Sequence, residues 1–452
     1  MESGSRLPPP TDLSAILFLQ HAGMVTRASG FRAGSSTGQT GSVLDLLPLT
    51  AEIVDGRLSI GGMAATRLAE EHGTPLVVYC EETIRAQARA YRTAAHGASI
   101  VYGTKAFANV ALLRVLAEEG VGADVSTLGE LAFAREAGLD GGRILFHGNN
   151  KSDDELRAAA EAGATVVLDA PDEPARAAAA GVGRVLVRLT PGVEAVTHQS
   201  IQTAHDESKF GLAPDAALAA IAEARALGMD VAGIHFHVGS QLARVEESLV
   251  AVDRLVAFCA RAEAELGWAP QVLDIGGGLG IKYTREEHVP EIADFVPPLV
   301  ARLPAGVEVV LEPGRSLVGR AGVTLYRVGV VKESGGVSYV AVDGGMSDNP
   351  RPQLYGARYE ALLANRADEL PDGVFRIAGK HCESGDVLID AIALPHPRRG
   401  DLLAVPATGA YTLAMASTYN GVPNPAAVLV AGGVARLVRA RQPVADLLRF
   451  ER

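Results

Sequence analysis

The chain has 452 residues, too many for one ordinary core, and with 48% hydrophobic and 21% charged residues it is globular, with two domains as the natural expectation. A net charge of −12 excludes nucleic acid and anionic membrane surfaces as partners, because both are recognised by basic patches. Three cysteines, Cys80, Cys259 and Cys382, without a CxxC pair, exclude a disulfide framework and suit a reducing cytoplasm.

Residues 1–47 combine Pro8-Pro9-Pro10 with a Gly/Ser/Thr-rich stretch from Gly34 to Ser42, and are expected to form a disordered extension. The apolar run Leu13–Leu19 is far shorter than the roughly 20 residues of a membrane span. Its flanks, Asp12 and a lone upstream Arg6, do not make a secretory signal. Within 48–74, Ala51–Ile60 is strand-like and is expected to pair with a β domain from the other end of the chain.

From residue 75 short apolar runs alternate with alanine-rich helical stretches. The runs are Leu76–Tyr79, Ser99–Tyr102, Gly122–Val125, Arg143–Phe146, Thr165–Leu168, Arg184–Leu189, Val231–His237, Val272–Ile275 and Glu308–Leu311. Helical stretches include Ala108–Glu119, Asp153–Ala162 and Glu246–Leu266. This alternation predicts a parallel α/β sheet. No GxGxxG follows the first run, so a (β/α)₈ barrel over 75–322 is expected rather than a dinucleotide-binding sheet. Nine runs are one too many for eight strands, so one stands outside. After Gly322 the runs Val323–Val331, Val337–Val342, Phe375–Ala378, Asp401–Ala407, Ala427–Ala431 and Val434–Arg439 predict an antiparallel β domain over 323–452.

Chemistry-bearing residues fall at the carboxyl ends of the barrel runs, the face on which barrel active sites lie. Lys105 follows Ser99–Tyr102, His237 follows Gly233–Phe236, Gly276-Gly277-Gly278 follows Val272–Ile275, and Glu312-Pro313-Gly314-Arg315 follows Val309–Leu311. Apolar neighbours are expected to lower the pKa of Lys105, as a Schiff-base amine requires. The glycines let backbone N–H groups approach a phosphate. Glu312 is suited to pair with a protonated pyridine nitrogen, and His237 to lie against an aromatic ring. Taken singly, each has an ordinary explanation: a solvated lysine, a tight turn, a surface loop. His235 and His237 form an HxH pair, but strand alternation turns one of them away, so no metal site is expected.

In this order these residues resemble the fold-type III pyridoxal-phosphate decarboxylases. The resemblance runs from about residue 45 to the C-terminus, on Tyr-Gly-Thr-Lys-Ala (102–106), Ala-Asp-Val-Ser-Thr-Leu-Gly-Glu-Leu (123–131), His-Gly-Asn-Asn-Lys (147–151), Thr-Ala-His-Asp-Glu-Ser-Lys-Phe-Gly-Leu (203–212), His-Val-Gly-Ser-Gln (237–241), Asp-Ile-Gly-Gly-Gly-Leu-Gly (274–280), Asp-Gly-Gly-Met-Ser-Asp-Asn (343–349), Arg-Pro-Gln-Leu-Tyr (351–355), Cys-Glu-Ser-Gly-Asp (382–386) and Gly-Ala-Tyr (409–411).

The resemblance implies an alanine-racemase-type (β/α)₈ barrel with a C-terminal β-sandwich or Greek-key domain. It implies pyridoxal 5'-phosphate attached to Lys105, with His237 on its ring and Glu312 at its nitrogen. Ser240, Gly277, Gly278, Gly314 and Arg315 would hold the phosphate, and Tyr411 would contact phosphate or ring. Asp124 and Glu130 match positions near the cofactor and its lysine. Arg315, Arg351 and Tyr355 would grip a substrate carboxylate, as the planar fork of arginine suits; Glu383 and Tyr411 would join them. Cys382 and Glu383 would reach across from a second subunit, making a cytoplasmic homodimer with shared sites. The substrate is an amino acid; Glu383-Ser-Gly-Asp386 with Arg351 and Tyr355 favours diaminopimelate, the terminal substrate of lysine biosynthesis. Ornithine, arginine, lysine or carboxynorspermidine, an alanine-racemase-like reaction, and a catalytically silent cofactor-binding partner are the alternatives.

Overall fold

The computed structural model describes residues 42–190 and 209–452. Residues 1–41 of the expected extension, and 203–208 of the Thr-Ala-His motif, lie outside the described residues. Ser42 caps a short 3₁₀ helix, Val43–Leu46, and Leu46 and Leu47 are buried. Ser42–Leu47 therefore belong to the folded body, not to an extension ending at 47.

Eight strands close a barrel: β1 (Ser99–Gly103), β2 (Gly122–Val125), β3 (Ile144–Phe146), β4 (Thr165–Leu168), β5 (Arg184–Arg188), β6 (Asp230–His235), β7 (Val272–Asp274) and β8 (Glu308–Leu311). All neighbours are parallel, and β8 pairs with β1 to complete the ring. Helices cover the outside because their ends are specified locally. Helix Asp153–Ala162, for example, starts with a Ser152–Glu155 capping box and stops at Gly163, whose φ of 71° favours glycine.

Strand alternation sorts the side chains into layers. Val166 and Leu168, or Val185 and Val187, pack outward against the helices. Val101, Val167, Leu186, Ala232, Val272 and Val310 form a small separate cluster inside, an apolar plug toward the amino ends of the strands. The plug forces whatever follows two residues later on each strand to face the mouth.

The ninth run is Leu76–Cys80. It pairs antiparallel with Gly322–Ser334 and parallel with Ala426–Ala431, outside the barrel, with all five residues buried. Gly322–Ser334 is the spine of the β domain: its first half pairs with Leu76–Cys80 and Leu402–Val405, its second with Val337–Val342. The sheet is mostly antiparallel, with parallel ladders only at Val337–Val342/Gly373–Ala378 and Leu76–Cys80/Ala426–Ala431 among the described residues.

Residues 48–74 do not add a strand to that sheet. Glu52–Val54, Arg57–Ile60 and Met63–Ala64 make their own three-stranded sheet. It docks through Leu58 N–H to Ala364 O (2.8 Å), Ala367 N–H to Gly56 O (2.7 Å), and a shared core that includes Leu47, Leu58, Ile60, Leu76 and Val78. Burying each such leucine or valine is worth about 1.5–3 kcal/mol relative to exposure.

Candidate active site

Two residues beyond the plug the strands carry Asp124, His147, Asp169, Arg188, Asp274 and Glu312. On β6 a register shift between Val231 and Gly233 changes the count, and His235 takes the corresponding place. Above this polar layer opens a cavity of about 730 Å³, lined by Lys105, Asp124, His147, Arg188, His235, His237, Ser240 and Glu312 among others. That size suits a cofactor with a small substrate. A second cavity, about 360 Å³, lies at the amino ends of the strands. Its described lining holds no lysine or histidine, so the chemistry belongs to the mouth.

Glu312 is the hub of the floor. His147 Nε2 lies 2.7 Å from Oε1, and His235 Nε2 lies 3.1 Å from Oε2. Burial by itself would raise the Glu312 carboxyl, but the two histidines outweigh it and hold it well below the carboxylate range. Burial likewise opposes a charge on His147, yet Glu312 and Asp124, 3.7 Å away, raise its pKa above the ordinary value. His235, buried against this cluster, falls to about 4. Of the two histidines His147 is therefore the one whose charged form is favoured, and Glu312 is an anion at neutral pH. Burial, with Glu312 close by, pushes the Asp274 carboxyl far above its usual range. His147, His235, Asp274 and Glu312 bring possible metal-ligand atoms within 4.8 Å of one another. Both histidines aim Nε2 at Glu312 rather than at a common point, and we read them as an acid–base cluster.

Burial and the charges of Lys105 and Arg188 depress His237 to about 3, so its ring is neutral. Its Nδ1 accepts the Gly277 N–H at 3.4 Å. The expectation that one of the HxH histidines turns away fails: both line the cavity. Positions two apart on an extended chain share a face, so alternation past the end of β6 brings both to the mouth, and the expectation had the rule reversed. Lys105 also departs from expectation. It sits in the 3₁₀ turn Thr104–Ala106 after β1 and is exposed where it lines the cavity. Burial pulls its pKa down, but Asp124, Tyr411 and Glu312 outweigh that and leave it raised. The polar layer, rather than the apolar walls, decides its charge.

The glycines after β7 let three loops meet. Gly276 has φ +66°; a Cβ on Gly277 would lie 2.3 Å from the Glu312 carbonyl oxygen, and one on Gly278 2.7 Å from that of Gly239. Beside them Arg315 donates to Ser240 Oγ (3.0 Å) and to the Tyr283 hydroxyl, and stacks over the Tyr411 ring at 4.7 Å. Its buried Nε has no hydrogen-bond partner among the described residues. Gly314 packs between Gly103 and the Tyr411 hydroxyl. A lysine amine, an anion on the floor, a neutral imidazole and a glycine rim with a spare guanidinium N–H form a donor set that fits pyridoxal phosphate.

Arg351 is buried, stacked over Tyr283 (4.3 Å), and donates to Tyr359 Oη at 2.5 Å. Tyr283 thus joins it to Arg315. Glu130 accepts the Ser126 N–H at 2.7 Å and does not line the cavity. Tyr355, Cys382 and Glu383 are exposed and do not line it either. The Cys382 N–H is held by Asn420 Oδ1 at 2.8 Å, and Tyr419 Oη lies 3.4 Å from Glu383. Sequence reasoning gave no role to His147, His235, Arg188, Asp274, Tyr283 or Tyr359. The first four were within its reach, each standing at the mouth end of a barrel run. The two tyrosines lie in loops without such a signal.

Residues 81–319 match the family model described as the pyridoxal-binding domain of pyridoxal-dependent decarboxylases. Among curated relatives, the diaminopimelate decarboxylase of Bacillus subtilis is 42% identical over 421 residues, covering 88% of this chain and 95% of that protein. That of Halalkalibacterium halodurans is 41% identical over 422 residues, with the same coverage. Among solved structures, diaminopimelate decarboxylase from M. jannaschii in complex with L-lysine superposes with a TM-score of 0.84 at 33% identity, covering 89% of this chain and 98% of that one. The chain belongs to the pyridoxal-dependent decarboxylases and, within them, to the diaminopimelate decarboxylase family.

Proposed function

We propose that this enzyme decarboxylates meso-2,6-diaminopimelate to L-lysine and carbon dioxide, the last step of lysine biosynthesis. The observation that carries the substrate is the pair Arg315 and Arg351. Neither guanidinium has a carboxylate partner among the described residues, and Tyr283 links them at the edge of the cavity. Two uncompensated forks suit a pair of anions, the cofactor phosphate at Arg315 and, at Arg351, a carboxylate that the substrate has to spare after its reacting end is engaged. The L-lysine in the M. jannaschii structure is consistent with this chemistry.

Bound pyridoxal phosphate supplies an electron sink for breaking a Cα–carboxylate bond. Lys105 holds it through its amine. Glu312, kept anionic beside His147 and His235, would hold a proton on the cofactor nitrogen, and Asp124 would balance the charge of Lys105. His237, being neutral, would lie against the ring without competing for charge. Ser240, Gly277, Gly278, Gly314 and Arg315 would take the phosphate, with Tyr411 beside them. Arg351 and Tyr355 take the distal carboxylate. Cys382 and Glu383 serve the site of a partner subunit, where Cys382 Sγ or Lys105 Nζ gives the proton that replaces carbon dioxide at Cα. Their exposure, and their absence from the lining of this chain's own cavity, support a homodimer with shared sites. Three free cysteines suit a cytoplasmic enzyme, and among the described residues no helix is long and apolar enough to cross a membrane.

Carbon dioxide release measured on meso-diaminopimelate, lysine, ornithine and arginine tests the substrate. A kcat/KM at least about 100-fold higher for diaminopimelate is expected, since a site built around an absent carboxylate leaves buried cations unpaired. Preference for any of the other three overturns this substrate.

A further inference from the structure

The segment 147–151 gives the site His147 and leaves Lys151 without a task. Lys151 does not line the cavity, and its side chain is wholly buried. Its ammonium donates to the Gly148 carbonyl (2.6 Å) and to Glu173 Oε2 (3.1 Å), and lies 2.9 Å from Oε1. Glu173 is equally buried and also accepts the Asp169 N–H at 2.6 Å. Asp169 in turn accepts the Gly211 N–H (2.8 Å) and a hydrogen bond from Arg188 (3.2 Å). One buried ion pair therefore ties together the loops that leave β3, β4 and β5.

Stability is a poor explanation for it. Stripping water from two charges costs several kcal/mol per ion, and an apolar pair of equal volume usually does as well or better. What only the ions provide is a grip on backbone. Gly148 has φ +128°, where the chain turns sharply after His147, and the Lys151 ammonium seizes its carbonyl. That turn sets where the His147 ring stands against Glu312. Facing Glu312 as well are His235 from β6, Asp274 from β7, Asp124 from β2, Lys105 after β1 and Arg188 from β5.

We infer that Lys151 and Glu173 are positioning residues for the cofactor: through the Gly148 carbonyl they hold the turn that aims His147 at Glu312. This rests on Glu312 facing the cofactor ring, and is independent of which amino acid is the substrate.

The test is the double variant Lys151→Met/Glu173→Leu, which removes both charges at similar volume. It is expected to keep a Tm close to that of the parent. Its cofactor dissociation constant, from titrating stripped enzyme with pyridoxal phosphate, is expected to rise about tenfold, in the manner of lost outer-shell support. The visible circular dichroism of the bound cofactor is expected to change with it. Should that variant not fold, Glu173→Gln, which keeps hydrogen-bonding groups toward Lys151 and Asp169, is read for the same two quantities. His147→Gln serves as the reference and is expected to weaken cofactor binding at least as much. If His147→Gln is impaired while the charge-removed variant binds like the parent with an unchanged spectrum, the pair is purely structural and the inference falls. If His147→Gln is itself silent, the inference falls for a different reason, because the His147–Glu312 contact then has no bearing on the cofactor.

Discussion

Replacing Lys105 by alanine is expected to lower turnover by about 10⁴-fold or more and to abolish the visible absorption of the cofactor-loaded enzyme. The loss corresponds to at least about 5 kcal/mol of barrier. The physical case is positional. Lys105 is the middle residue of the short turn after β1, its side chain lining the cavity and Asp124 and Glu312 electrostatically near. Lys151 is locked to Glu173, and Lys209, which also lines the cavity, rests over the Phe210 ring at 4.9 Å, so Lys105 is the lysine placed against both Asp124 and Glu312. Carbon dioxide release and an absorption spectrum of the purified variant check both halves. A variant that keeps the band and the rate removes Lys105 from the centre of the site.

Mixing two dead variants is expected to restore activity. Lys105→Ala and Cys382→Ala homodimers should each be nearly inactive, for different reasons. If Cys382 serves the neighbouring subunit, a hybrid dimer has one site with both defects and one with none. With free exchange, half the dimers are hybrids and half of their sites are intact, so about a quarter of the parent activity should return. The reasoning starts from the turn 382–386, where Asn420 and Tyr419 brace Cys382 and Glu383 outward while the cavity of the same chain is lined by neither. No recovery, after mass measurement shows that hybrids have formed, would confine each site to one chain.

Much of this arrangement is legible in the linear sequence because the barrel obeys a local rule. The strands β2, β4 and β8 and the helices Asp153–Ala162 and Glu246–Leu266 were placed to the residue by composition and periodicity alone. The sorting of Asp124, Arg188, Asp274 and Glu312 onto one face follows from alternation past an apolar plug. What fails to show is non-local. Leu76–Cys80 looks like any other barrel run, and only its partners Gly322–Ser334 and Ala426–Ala431 decide its sheet. The charge of Lys105 was misjudged for the same kind of reason: its sequence neighbours are apolar, while its spatial neighbours on β2 and β8 are acids. The HxH pair was misjudged because residues two apart on a strand share a face: His237 lines the cavity as expected, and His235 lines it as well. The grip of Tyr283 on two arginines joins loops far apart in the chain and leaves no periodic trace.

The pairing of Leu76–Cys80 also has a consequence in time. On the ribosome this apolar segment emerges early, but its parallel neighbour Ala426–Ala431 is made about 350 residues later. At ordinary elongation rates of about 5–20 residues per second, that is a delay of roughly 20–70 seconds. Until Gly322–Ser334 follows, the nascent barrel grows with the central strand of another sheet hanging from its leading end and both its edges open, and one edge stays open until Ala426–Ala431 is made. Synthesis interrupted before Ala426–Ala431 is made would leave a chain with an unpaired apolar strand edge, so this enzyme's folding is completed only by residues near its far end.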